Sequence, residues 1–471
     1  MKAPPILTGF GNGDVEVVED RWLDEAARTV PRYTSYPTAH AFVPGFTSEV
    51  YADWLARIEG PIALYVHIPF CIERCAYCAC NVIATKHRDA ASAYLKLLGR
   101  EVLAVSERLK KKVCVTRMHW GGGTPTYYTP AELRLAVQAI RGSFEFTEDA
   151  EISIEADPRV TTIEHLRMLR RLKFNRLSIG VQDFAPAVQA MIGRIQSAET
   201  TRRVVRNARA LGFDSVNLDL VYGLPLQTER RIAQTMEPVV EMRPDRIAIY
   251  GYAHLPERVP NQRKIDPATV PGVRLRRRLE EVARKRLVEA GYVEVGLDHF
   301  ALPTDPLAKA AKQRSVHRDF MGYTTSRDST LVAVGVSSIS ELPQGLIQNV
   351  KKLSAYERAL DRGELPVEKG CRTNADDLIR RHVIQRLMCD LEVRYEEVER
   401  AHAIRFEEYF KEELRELRVP DGLIAREIAR ETPVGLTVEP AARSLVRNVC
   451  YVFDRRARQS GDPPAGMSSA G

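Results

Sequence analysis

Between about residue 60 and residue 300 the chain repeats one hydrophobic pattern, a short apolar run rich in β-branched residues followed by a longer stretch of helical periodicity. The runs fall at 62–68, 113–120, 151–156, 176–181, 215–221, 246–250 and 292–297. Amphipathic stretches lie between them at 93–109, 130–140, 163–172, 200–211, 229–240 and 273–290. This alternation predicts βαβ units. Near-continuous apolar strands separated by helices predict a parallel sheet covered by helices, and six or more units fit a complete or an incomplete (β/α) barrel. In either form the ligands sit at the C-terminal ends of the strands.

After residue 300 the pattern changes to a Pro- and charge-rich loop, then to helical segments at 376–388, 395–401 and 406–417. These predict a smaller, mostly helical domain. Short alternating runs at 421–438 and a helix at 443–453 suggest a winged-helix-like arrangement, in which interleaved acids and bases favour packing over nucleic-acid binding. The expected organisation is an N-terminal arm at 1–55, a barrel at 56–305, a capping or linker segment at 306–365, a helical domain at 366–455 and a disordered tail at 456–471. The arm carries RYTSYPT at 32–38, whose aromatics and X-Pro step suggest an extended, packed strap.

Composition changes this picture little. The 471 residues include 69 Lys and Arg against 62 Asp and Glu, an excess too small to point to a nucleic-acid binder. With 44% hydrophobic and 28% charged residues the chain reads as globular, and no run reaches the roughly 18 apolar residues of a membrane span. Residues 1–22 lack a secretory leader pattern, so the expected location is cytoplasmic. Cysteine usage is more informative. Four of the eight cysteines crowd between Cys71 and Cys80, which argues against a disulfide framework and for metal or redox chemistry.

Cys71, Cys75, Cys78 and Cys80 form C-x3-C-x2-C-x-C directly after the first apolar run. Three thiolates from one loop can hold three irons of a [4Fe–4S] cluster and leave the fourth iron open to a chelating ligand. A structural zinc site usually has four closed ligands, often from two separated C-x2-C knuckles, and no second knuckle is present. Spacing alone leaves open which three of the four cysteines bind. The consecutive glycines of HWGGGTPTY at 119–127 would let backbone approach a ligand, and Glu155 follows another apolar run at the same predicted rim. Taken alone, Glu155 equally suits a helix cap.

The cysteine loop resembles that of the radical S-adenosylmethionine (SAM) superfamily. Together with RYTSYPT, Cys80, HWGGGTPTY, EISIEADP, RLSIGVQDF, NLDLVYGLP, YAHLP, DHFALP, GLTVEP and LVRNVCYVFD, nearly the whole chain is similar to the oxygen-independent coproporphyrinogen III oxidase (dehydrogenase) family. The resemblance implies an α/β fold, an incomplete (β/α)6-type radical SAM barrel with an N-terminal arm and a mostly helical, winged-helix-like C-terminal domain. It implies one [4Fe–4S] cluster on Cys71, Cys75 and Cys78, with Cys80 as a catalytic candidate, and two SAM molecules. Tyr65, Gly122, Glu155 and Ile339 would contact the iron-bound SAM. Tyr77, Gly123, Thr124, Gln182, Arg194, Asp219 and Ala253 would contact its neighbour. The implied reaction is anaerobic oxidative decarboxylation of coproporphyrinogen III to protoporphyrinogen IX in haem biosynthesis. It needs a reductant such as flavodoxin or ferredoxin and a final electron acceptor that the sequence does not identify. The expected protein is a monomer without nucleic-acid partners.

The substrate's propionates call for cations, and Arg32, Arg263, Lys264, His299, His317 and Arg318 lie in segments that could supply them. Two positions depart from the family pattern: Gly193, where a bulkier polar residue is common, and Tyr250, where an apolar aromatic is common. The rivals are a haem chaperone and another tetrapyrrole-acting radical SAM enzyme, and the arm and Cys80 favour the oxidase.

Overall fold

A computed structural model describes residues 20–326, 330–459 and 468–469. Six parallel strands alternate with helices: β1 (Ile62–Ile68), β2 (Cys114–Gly122), β3 (Glu145–Ala156), β4 (Arg176–Gln182), β5 (Ser215–Tyr222) and β6 (Arg246–Gly251). This is the incomplete (β/α)6-type barrel expected of the fold class. β1 is buried along its whole length, whereas β4 alternates buried apolar residues with half-buried ones such as Ser178 and Gln182. The covering helices include Pro130–Ser143, Ile163–Arg171, Ala198–Ala210 and Glu229–Met242. Each opens on a hydroxyl N-cap, Thr129, Thr162, Ser197 and Thr228, whose oxygen accepts from a backbone amide in the first turn and so fixes where strand gives way to helix.

The run expected at 292–297 does not continue the barrel. It forms β7 (Val293–Val295), which turns at Gly296 (φ 55°) into β8 (His299–Ala301), and β8 pairs antiparallel with β6. At the other edge, β9 (Leu331–Val334) pairs parallel with β1 and leads into the antiparallel strands β10 (Ile339–Leu342), β11 (Gly345–Asn349) and β12 (Val367–Arg372). The single sheet therefore has 12 strands in the order β7-β8-β6-β5-β4-β3-β2-β1-β9-β10-β11-β12. The strands β9 to β11 were not expected in a segment that reads as a linker.

The C-terminal region is mostly helical, with Ala375–Asp390, Tyr395–His402, Lys411–Arg418 and Val446–Phe453 around one core. The predicted helix at 406–417 breaks at Phe410, and the wing is an antiparallel sheet of Glu392–Arg394, Gly435–Val438 and Ala429–Thr432. Trp22, Ala26, Val30, Tyr33 and Tyr36 from the N-terminal arm enter this core, and the Tyr33 hydroxyl donates to Asp454 at 3.1 Å. The arm thus ties the two ends of the chain together. Within the tail expected to be disordered, Ser468–Ser469 pairs antiparallel with Thr29–Val30, and 460–467 lies outside the described residues. So do residues 1–19, on which the leader-free reading of the N-terminus rests. Among the described residues no helix is long and apolar enough to cross a membrane.

Candidate active site

The C-terminal ends of β2 to β6 and the cysteine loop enclose a cavity of about 530 Å³. Its walls bring together Cys71, Cys75, Cys78, Cys80, Tyr77, Gly122, Gly123, Thr124, Glu155, Gln182, Arg194, Asp219 and Ala253, so 13 of the 15 residues singled out by sequence share one space. The other two stand outside it. Tyr65 points its hydroxyl at His67 Nδ1 (3.1 Å) and stacks on His119, and Ile339 packs toward Phe42, Leu346 and Cys371 at the sheet edge.

Cys71 ends a short strand that pairs with Ile83–Ala84, and its sulfur hydrogen-bonds the Thr124 hydroxyl at 3.3 Å. Cys75 is buried, whereas Cys80 is exposed to the cavity mouth. Hydrogen bonding from the Cys80 thiol, with its backbone amide and Arg74 adding, holds the Cys78 thiol down to about 7. Among the described residues no three His, Cys, Asp or Glu side chains converge as a single ion would need. Three thiols spread around a cavity wall suit a cluster instead, because its irons lie apart from one another.

The glycine run lines the cavity and also serves the packing of the backbone. A Cβ on Gly123 would lie 2.8 Å from the Phe70 carbonyl oxygen, and one on Gly122 would lie 2.5 Å from the His67 ring. The Gly123 amide donates to Ile68 O at 2.6 Å and the Thr124 amide to Phe70 O at 2.8 Å. The glycines thus let β2 close against the strand that carries the cysteines. Glu155 accepts from the Gly122 amide at 3.1 Å and sits 3.4 Å from His119 Nε2, which locks the same corner.

Gln182 ends β4 with φ 69°, a left-handed backbone that costs a non-glycine residue roughly 1 kcal/mol and here turns its side chain onto the cavity wall. Arg194 donates to Asp157 (3.0 Å) and to Gly180 O (2.7 Å), and approaches the Cys75 sulfur at 3.9 Å. Its buried Nε has no protein partner, an orphaned donor on a cavity wall that fits a ligand acceptor. Gly193 has φ 65° and ends the helix Pro186–Ile192, so this departure from the family pattern is a left-handed helix terminus that carries Arg194 into place. Asp219 accepts from Ser178 (2.6 Å) and Asn217 (2.8 Å), and burial raises its carboxyl above the usual range.

Of the expected cations only Arg32 lines the cavity, where it donates to Gly251 O at 3.2 Å. Arg318 and His299 are engaged by Asp298, at 3.3 and 2.7 Å, beneath Tyr250, whose ring meets His299 edge to face. Arg263 and Lys264 are exposed, and His317 lies on a half-buried hairpin. Sequence reasoning missed Asp157, which accepts from both Arg159 and Arg194, although it stands two residues beyond Glu155 at the same strand end. It also gave no role to His119, although this residue opens the HWGGGTPTY motif, and it missed the segment around Asn261, which has no local pattern.

A family model described as the Radical SAM superfamily matches residues 65–239. The oxygen-independent coproporphyrinogen III oxidase of Pseudomonas aeruginosa is 41% identical over 432 residues, covering 90% of this chain and 93% of the relative. The chain belongs to this family. The protein of the same name from Escherichia coli K12 is 40% identical over 432 residues, covering 91% of this chain and 93% of the relative. The solved structure of the Escherichia coli coproporphyrinogen III oxidase HemN, described as a radical SAM enzyme, matches with a TM-score of 0.86 at 39% identity, over 90% of this chain and 97% of that one. Membership makes this oxidase-family chain a radical SAM oxidoreductase whose cofactors are a [4Fe–4S] cluster and SAM.

Proposed function

We infer that this cavity carries out the anaerobic oxidative decarboxylation of coproporphyrinogen III to protoporphyrinogen IX, converting two propionates to vinyl groups. The observation that carries the reading is the convergence of a three-thiol loop, the Glu155 corner, the orphaned Arg194 donor and Arg32 on one space at the barrel's strand ends. A bound cluster and SAM supply a 5′-deoxyadenosyl radical able to take a hydrogen atom from a propionate β-carbon. The substrate then loses CO2 and one electron, so each vinyl group formed delivers one electron to an external acceptor. No general base at carbon is required, and the residues do other work.

Cys71, Cys75 and Cys78 would hold the cluster. Gly122 and Glu155 would face the iron-bound SAM, with Tyr65 acting on this corner through His119. Tyr77, Gly123, Thr124, Gln182, Arg194, Asp219 and Ala253 suit a second SAM, for which Asp219 and Gln182 provide hydrogen-bonding groups and Arg194 a cation. Ile339, on β10 outside the cavity wall, is the remaining residue proposed for the first SAM. Cys80, exposed at the mouth beside Cys78, is placed to pass a proton or an electron. Arg32, the one expected cation on the cavity wall, would meet a propionate. The same reading includes a cytoplasmic monomer, a flavodoxin- or ferredoxin-like reductant and a separate final electron acceptor. The test is anaerobic turnover of coproporphyrinogen III with SAM and dithionite, scored for porphyrin product and 5′-deoxyadenosine together, with Cys75→Ser as the control expected to yield neither.

A further inference from the structure

The cysteine loop is gripped by a segment far along the chain. Asn261 stands in the short helical turn Pro260–Lys264, and its Nδ2 lies 2.9 Å from the Cys75 carbonyl oxygen, 2.9 Å from that of Ala76 and 3.0 Å from that of Cys78. Next to it the fully buried Gln262 donates through Nε2 to Tyr77 O at 2.9 Å and Ala253 O at 3.0 Å, while its Oε1 accepts from the Leu255 amide at 2.5 Å. Every carbonyl from Cys75 to Cys78 is therefore turned toward this one segment. In a trans peptide the N–H points opposite to the C=O, so the amides of Tyr77 and Ala79 face away from it.

The loop has little else to define its shape. It carries no regular helix or strand between Cys71 and Ile83, and between Cys75 and Cys78 its other backbone bonds are Ala76 N to Ile192 O at 2.8 Å and Cys78 N to Cys75 O at 3.2 Å, while the later turn is held through Cys80 O by Arg74 at 3.3 Å and through Asn81 O by His67 at 3.2 Å. Asn261 does not line the cavity, so it has no direct part in holding SAM or substrate. Three acceptors around one nitrogen also fix the orientation of its amide, since a carbonyl oxygen in that position would repel all three.

We propose that Asn261 is a positioning residue of the iron–sulfur site, holding the cysteine loop in its cluster-binding shape by tying three of its carbonyls to one side-chain amide. The proposal rests on the reading that Cys71, Cys75 and Cys78 hold the cluster. Asn261 acts on the irons only through the backbone of the residues that ligate them, as outer partners of a metal site do.

Asn261→Asp tests this, because it keeps the shape and puts a carboxylate oxygen where the donor stood. The variant and the parent enzyme are reconstituted anaerobically, and three quantities are read: iron per chain, the rate of iron release to a ferrous chelator, and the electron paramagnetic resonance (EPR) spectrum of the reduced cluster with and without SAM. The expected result is iron release faster by about 10-fold or more, the range typical of outer-sphere partners, with an altered spectrum of the reduced cluster. Iron release and spectra equal to the parent's would overturn the proposal. If Asn261→Asp fails to accumulate, Asn261→Ser, which retains a single short donor, takes its place, with a smaller acceleration expected and parent-like release again overturning the proposal. Turnover of coproporphyrinogen III by the parent enzyme is measured in the same preparation. A parent that keeps its cluster but forms no product would defeat the functional reading and leave the Asn261 result to stand by itself.

Discussion

Arg194→Met removes a buried cation that bridges the cavity wall and the cysteine loop. The Arg194 and Asp157 side chains are each 8% exposed, and their bond is 3.0 Å long. Breaking such a pair by deleting one partner costs about 3–5 kcal/mol when the remaining charge has no compensation. Here Arg159 stays on Asp157, with a contact at 2.6 Å and a side chain 26% exposed. The expected loss is therefore below that range, about 2 kcal/mol, much of it from the lost bond to Gly180 O, which keeps the longer bond from Gln196 at 3.3 Å, and from the weakened pairing of Asp157. The pH dependence follows from the sign of the Asp157 shift. Burial works against its ionisation, but hydrogen bonds from Arg159 and the charges of Arg194 and Arg159 hold the carboxyl below the usual range. A depressed carboxyl contributes stability that is present above its unfolded value near 4 and is lost as pH falls through the folded value. With one cation gone the folded value moves up toward the unfolded one, so the loss still begins near the unfolded value but ends at a higher pH, and less stability remains to be lost. The assay is urea unfolding, followed anaerobically from pH 8 down to about pH 2 so that it passes through both the unfolded and the folded value of Asp157, for the parent, Arg194→Met and Arg194→Met/Asp157→Asn. The double variant should recover part of the loss, because it no longer buries an under-compensated carboxylate. Equal midpoints for parent and Arg194→Met, with superimposable acid limbs, would refute the reasoning.

Gly123→Ala should cost about 1–3 kcal/mol of stability, as overpacking against backbone does, because its Cβ would meet Phe70 O at 2.8 Å and Pro69 C at 2.9 Å. Thermal unfolding reads the stability loss, and SAM cleavage should fall with it as β2 is pushed off the cysteine strand. Glu101, fully buried, accepts from the Gly335 amide at 2.6 Å, the Asn349 amide at 2.5 Å and the Tyr356 hydroxyl, so all three neighbours donate. Glu101→Gln sets an amide nitrogen against a donor and should cost about 1–3 kcal/mol, measured by urea unfolding. Burial pushes the Glu101 carboxyl up to about 7, so the parent loses stability as pH rises from its unfolded value toward 7, and the variant should lack that decline. Arg32→Ala should raise KM for coproporphyrinogen III by about 10-fold, the value of one charge-assisted hydrogen bond, with cluster absorbance and the KM for SAM unchanged in steady-state kinetics.

The barrel was legible because its strands keep at least every second residue buried and apolar over several residues, β1 along its whole length and β4 in alternation, and because four of the covering helices start at a hydroxyl cap such as Thr129 or Thr228. The hairpin at β7 and β8 was misread as another parallel unit. Its apolar run looks the same, and only Gly296, turning at φ 55°, distinguishes it. Strands β9 to β11 are short and follow a charged stretch, and their place beside β1 depends on pairing across more than 260 positions, which no local periodicity records. At the site, the cysteine spacing marked the loop and the strand ends marked Glu155, Gln182 and Asp219. Distance in sequence hid the rest. Asn261 reaches the cysteine loop from 183 residues beyond Cys78, and an asparagine before Gln262 has no pattern of its own. Of the expected propionate cations, Arg32 lines the cavity, whereas Arg318 and His299 are held by Asp298, a pairing that a charged residue's sequence neighbours do not reveal.

The central claim is that one cavity couples the thiol loop to propionate decarboxylation. Its most direct measurement is a single anaerobic turnover experiment with the reconstituted enzyme, coproporphyrinogen III, SAM, dithionite and a cell extract as electron acceptor, in which CO2, vinyl-bearing porphyrin and 5′-deoxyadenosine are quantified together. The account predicts one CO2 and one deoxyadenosine for each vinyl group, ending at protoporphyrinogen IX. Deoxyadenosine released without decarboxylation, or tight haem binding with neither product, would contradict it.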